Sequence, residues 1–239
     1  MSSKPQKEPK YKVIFGVAAF VVALTAIIAW LTGAGALSEL LKFLQPSTSF
    51  ESISVGETVR FGEWDWRVLE VQDGRALLVT KEIIEQLPYN GEQTGVTWET
   101  CTLRAYLNGA FLEKFSARER RLICETENVN ESNQWYGTNG GGNTTDKVFP
   151  LSLEEVVNYF GDSGQLKKGN LNEEYFFDDQ YNDARAAKFD NDGGWWWLRS
   201  PGDTQITAAG IHDDGCVNLA GDYVFYELGV RPALWLKLT

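Results

Sequence analysis

The hydrophobic and polar positions fall into three regimes along the chain. From Val13 to Leu31, VIFGVAAFVVALTAIIAWL, nineteen residues pass without a charge. Wound as a helix at ~1.5 Å per residue, they span roughly 28 Å, close to the hydrocarbon thickness of a bilayer. The pattern predicts one transmembrane helix, with Trp30 near its outer end as an interfacial anchor. A short amphipathic stretch, LSELLKFL, and a Pro46-Ser-Thr-Ser linker follow, and a folded domain is expected from about residue 50.

Within that domain the period changes several times. Trp64, Trp66 and Val68 alternate with Asp65 and Arg67, as on a half-buried strand. Asp73-Gly74 then signals a hairpin into the return strand RALLVTK. TWETCTLRAYLNGAF shifts to helical spacing, with Gly109 as the expected stop. SARE (Ser116–Glu119) and SLEE (Ser152–Glu155) read as capping boxes, each opening a short helix, the second ending at Gly161. The Asn/Gly-rich run between them, and the acidic stretch from Asp162 to Gly194, read as long loops. Strands return with WWWLRSP. A meander is expected after it, turning at Asp214-Gly215 and Gly221-Asp222 and closing on RPALWLKL. Strands at both ends with short helices and long loops between them make the fold class α+β.

Charge sets an orientation. Lys4, Lys7, Lys10 and Lys12 against Glu8 leave +3 on residues 1–12 and −14 on the rest of a chain whose net charge is −11. Lysines on the short N-terminal side predict a cytoplasmic tail (1–12), a signal anchor (13–31), a linker (32–49) and an extracytoplasmic domain (50–239). The apolar run exceeds the ~7–15 residues of a cleaved signal core, which favours an uncleaved anchor over cleavage at the AGA of Ala34–Ala36. A domain this acidic repels phosphate, so nucleic acid is not an expected partner. Three cysteines, Cys101, Cys124 and Cys216, form neither a disulfide framework nor a zinc pattern.

Five motifs occur in one order: FGEWDWRVLEVQDGRALLVTKEII, TWETCTLRAYLNG, TTDKVFPLS, WWWLRSPG and GVRPALW. Together they resemble a family of bacterial surface domains of unknown function. That family is grouped with the C-type-lectin-like fold in its formylglycine-generating-enzyme-like branch, which is related to the variable proteins of diversity-generating retroelements. The resemblance covers roughly residues 50 to 239. It implies terminal strands lying close together, much irregular loop, and a display surface over about residues 203–228.

The chemistry of that fold is not matched residue by residue. Its copper enzymes hold the metal with a cysteine pair, and no second cysteine lies near Cys216 in sequence. Its iron enzymes need several histidines, and His212 is the single histidine. The expectation is therefore a membrane-anchored, non-catalytic domain that binds an extracellular protein or glycan. An oxidase and an envelope scaffold are the alternatives. The expected ligand-binding residues are His212, Asp213, Asp214, Asn218, Asp222, Tyr223 and Tyr226, with Trp135 and Tyr136 as a rim. No cofactor is expected beyond a structural calcium at the DNDGG turn, through Asp190 and Asp192. On a strand Trp195 and Trp197 share one face and Trp196 takes the other, which predicts Trp195 and Trp197 in the core, with Arg199 and Arg231 as structural clamps.

Overall fold

The structure is a computed structural model and describes residues 53–170 and 174–238. These all belong to one compact unit, Ser49–Thr239. The expected membrane helix, residues 13–31, lies outside the described residues. Among those that are described, no helix is long and apolar enough to cross a membrane.

Strands β1 (Thr58–Phe61), β2 (Trp64–Gln72), β3 (Arg75–Thr80) and β4 (Glu85–Pro88) open the domain. Helices α1 (Thr102–Tyr106) and α2 (Ala117–Arg120), the small β5–β6 ribbon (Thr126–Asn128, Thr144–Asp146) and α3 (Leu153–Phe160) follow. The stretch expected to be loop carries α4 (Gln165–Lys168), β7 (Phe176–Phe177), α5 (Asn182–Arg185), β8 (Ala187–Phe189) and β9 (Asp192–Gly194). Strands β10 (Trp196–Pro201), β11 (Thr207–Ile211), β12 (Val217–Tyr223), β13 (Glu227–Val230) and β14 (Ala233–Lys237) end the chain. Predominantly strand with short helices, it fits the α+β expectation.

Two sheets organise these strands. One runs β1-β2-β3-β14, so the first and last strands share a sheet; the other runs β4-β13-β10-β11-β12-β7. The expected meander is broken at two places. Gly221 (φ +75°) sits inside β12, beside a register shift between β11 and β12, and is not a turn between strands. Strand β13 then leaves the β11–β12 hairpin to pair with β4 and, in parallel, with β10, while β14 joins the other sheet. Only Arg231 and Pro232 separate β13 from β14.

Local signals act as their chemistry dictates. Asp73 and Gly74 both take positive φ (51° and 72°), the backbone of the tight hairpin turn that joins β2 to β3. Both capping boxes form reciprocally, at Ser116/Glu119 and Ser152/Glu155. Helix α3 stops at Gly161 (φ +132°), where an added Cβ would lie 2.2 Å from the Tyr181 ring. Gly109 does not stop its helix. It lies inside a π turn, Leu107–Phe111, which carries Phe111 into the core while Asn108 donates to the Arg104 and Val148 carbonyls.

The core is aromatic, and three of its buried indole N–H groups are paired. Trp66 Nε1 donates to the Phe61 carbonyl (2.8 Å), Trp98 Nε1 to buried Asp146 (2.9 Å) and Trp197 Nε1 to the Leu87 carbonyl (2.9 Å). Asp146 also accepts from Arg104, Asn128 and Thr144, so this buried carboxylate is held by donors on several elements. Arg199 clamps β10 to α3, donating to both oxygens of Glu155 and to the Pro150 carbonyl, with its guanidinium over the Phe149 ring. It pairs with a carboxylate and does not stack on Trp197.

Arg231 marks the crossing between the sheets. It is buried without a carboxylate in contact and donates to the carbonyls of Thr80, Lys81 and Arg185 (2.9, 3.2 and 3.1 Å). Burial pushes its guanidinium down to about 10. Its planar head lies between the rings of Trp196 (4.9 Å) and Phe160 (5.4 Å).

Candidate functional site

The tryptophan run corrects the expectation about which rings are buried. Trp196 and Trp197 are both fully buried, whereas Trp195 precedes the strand and is 39% exposed. The alternation of faces holds, but both faces of β10 are covered. Trp197 lies under Tyr89 (5.7 Å between rings), and Trp196 lies against Arg231.

The strand register arranges the sheet in rungs. Trp196, Ile211, Val217 and Phe177 pair across four strands, and all are buried. Trp197, Gly210, Asn218 and Phe176 form the adjacent rung on the opposite face. Its outer member, Phe176, is 47% exposed, and its neighbour Tyr175 is 64% exposed. At the turn end of the β11–β12 hairpin, His212 stacks on Trp195 (3.9 Å, 15° between planes) and faces Phe176 at 5.8 Å. His212 is thus held between two exposed rings from different segments of the chain.

Carboxylates surround this stack. Asp213 Oδ1 accepts from Trp195 Nε1 (3.2 Å), which fixes the indole. Asp214 caps the turn through the Cys216 N–H (3.0 Å), and that bond holds its carboxyl below the usual range. Beside Phe176 opens a cleft of ≈ 420 Å³ lined by Gln165, Glu174, Tyr175, Phe176, Phe177 and Asp178. Asp192 precedes Gly193, whose absent Cβ would lie 3.1 Å from the Asp213 Cβ, so the β8–β9 hairpin abuts the same turn.

The nine expected ligand residues do not form one surface. His212, Asp213 and Asp214 meet at the Trp195 end. Asn218 is buried in β12, where its amide bonds Asp222 (3.2 Å). Burial pushes Asp222 above the usual carboxylate range, against the opposing pull of His212 and Asn218. Tyr223 and Tyr226 lie at the far end of the hairpin and contact Phe225 and each other (5.6 Å). Trp135 and Tyr136 come to the β7 edge: Trp135 packs on Phe177 (6.1 Å), and the Tyr136 hydroxyl donates to the Glu174 carbonyl (2.8 Å).

Most of the expected display segment is interior. Ala208–Ile211 and Cys216–Ala220 are buried, and exposure is confined to 203–204, 213–214, 223 and 226–227. The DNDGG sequence serves the backbone. Asp190 and Asn191 take positive φ (50° and 77°) and turn β8 into β9. Among the described residues no group of three or more His, Cys, Asp or Glu is placed to hold a metal ion.

The three cysteines are free and lie apart. Cys101 caps α1, and burial pushes its thiol to about 12. Cys216 contacts Asn182 (3.2 Å) and Asp214 (3.4 Å), and burial, with Asp214, pushes it to about 11. Both thiols stay protonated at neutral pH.

Two exposed rings of the site, Tyr175 and Phe176, were absent from the sequence-based expectation. The signal was present in EEYFFDD, residues 173–179, where three aromatics sit between acidic pairs. Neither curated proteins nor solved structures give a match to the chain. Residues 73–238, well over half of the chain, match the model of a domain of unknown function, DUF6273, and the chain belongs to that family.

Proposed function

We propose that this protein is a non-catalytic ligand-binding domain, carried outside the membrane by the apolar segment 13–31, and that it binds at the Trp195–His212–Phe176 edge. The observation that carries this reading is the exposure of large aromatic rings held rigid by stacking and by the Asp213 bond. Exposed aromatics fixed in this way supply contact area at little entropic cost. The lectin-like kinship suggested by the five motifs agrees with such a role. Diversification across all of residues 203–228 does not fit the burial of β11 and β12, where each side-chain change would disturb packing. An oxidase working through Cys216 or Cys124 would need a reactive thiolate, and burial, with Asp214, pushes the Cys216 thiol up to about 11.

The test is an array of glycans and peptides probed with the full chain and with a Trp195→Ala/Phe176→Ala variant. Array signals should fall at least tenfold in the variant while its thermal unfolding is unchanged. Signals equal in both proteins would place binding elsewhere and overturn the reading.

A further inference from the structure

We infer that the Trp195–His212–Phe176 edge takes a small organic ammonium ion. This inference rests on the binding role proposed above and adds the chemistry of the ligand.

Two pairs of adjacent aromatics carry the argument. In each pair the inner ring is buried and has a guanidinium on it. Arg231 lies 4.9 Å from the Trp196 ring, and Arg185 lies 5.5 Å from the Phe177 ring. Both distances are within the ~6 Å at which a cation is attracted to an aromatic face. The outer rings, Trp195 and Phe176, are exposed, and among the described residues no lysine or arginine lies over either. They are surrounded instead by Asp213, Asp214, Glu174 and Asp178.

An aromatic face rimmed by carboxylates is complementary to positive charge, because the ring quadrupole and the anions act in the same direction. The bases nearby do not offset this. Arg185 is committed to Asp179 (2.6 Å), and Lys167 of α4 pairs with Asp162 (3.7 Å). Lys188 is exposed opposite Gly193 across the β8–β9 ribbon, on the Asp213 side, and is one positive charge against four carboxylates. The ≈ 420 Å³ of the adjoining cleft is the volume of a small-molecule site. An anion or a strongly acidic glycan would meet repulsion from the same four carboxylates. A neutral sugar would find the rings but leave the carboxylates without complementary charge.

The probe pair is choline and its neutral isostere 3,3-dimethylbutan-1-ol, titrated by calorimetry against the full-length chain. Choline is expected to saturate one site. The isostere should bind at least tenfold more weakly, Trp195→Ala and Phe176→Ala should each weaken choline at least fivefold, and Asp213→Asn should weaken it about threefold. Raising the salt concentration should weaken choline and leave the isostere unchanged. Absence of saturable choline binding, or equal affinities for choline and the isostere, would overturn the inference. If choline fails while an array ligand is still lost in the Trp195→Ala/Phe176→Ala variant, the binding surface stands and the ammonium assignment alone falls.

Discussion

Trp195 and Trp196 are neighbours in the chain and opposites in circumstance. Trp196 donates its indole N–H to the Arg185 carbonyl (3.2 Å), an oxygen that also accepts from Arg231, and Arg231 covers its ring. Trp195 donates its indole N–H to a carboxylate and stacks on an imidazole, with much of its ring in water. One ring lies in a cationic, dry setting and the other in an anionic, wet one. The same residue type thus holds the fold together at one position and offers a surface at the next.

That contrast breaks most severely at the inner ring. Trp196→Ala should cost about 3–5 kcal/mol, because it opens a cavity and leaves Arg231 without its aromatic cover. Thermal or urea unfolding measures this. A cost under about 1 kcal/mol would mean that the ring is not integral to the core.

The next effect lies one contact further out. The Arg185–Asp179 pair is almost fully buried (0% and 2% side-chain exposure), and Asp179→Asn should cost about 3 kcal/mol at neutral pH by leaving a buried guanidinium uncompensated. Burial raises the Asp179 carboxyl, but bonds from Ser163, the Tyr181 N–H and Arg185 outweigh it, and the net shift is downward. A carboxyl lowered in the folded state contributes stability that is fully present above its unfolded value, near ~3.9, and is lost as the pH falls through the lower folded value. Stability measured downward from about pH 4 should therefore decline less steeply in Asp179→Asn than in the parent chain. Identical acid limbs would remove this carboxylate from the account.

The smallest effect is at the outer ring. Trp195→Ala should change stability by no more than about 0.5 kcal/mol, as for an exposed side chain, while binding at the site is lost. A large loss of stability would make Trp195 a second core ring and erase the contrast.

How much of this could be read from the residues depends on range. Capping boxes and the Asp73-Gly74 turn are settled by residues within four positions of one another, and both are legible. The alternation of Trp195, Trp196 and Trp197 is legible too, because it is a property of the extended backbone. Their burial is not, since Tyr89 and Arg231, from distant segments, decide it. The exit of β13 toward β4 is equally hidden, because that pairing joins residues more than a hundred positions apart. Of the site, His212 and its aspartates stand out as polar residues at a glycine turn. Phe176 is marked locally only by the aromatics of EEYFFDD, and its rung with Gly210 and Asn218 is what brings it to His212.

The pairing of β14 with β3 has a consequence for how the protein is made. Val79 finds its partner at residue 233, so the first sheet stays open along one edge until β14 has left the ribosome. Closure of that sheet is a late, long-range event and belongs to the slow class of β topologies. Until then β3, RALLVT, presents a bare apolar edge, the kind of edge that invites association with other chains.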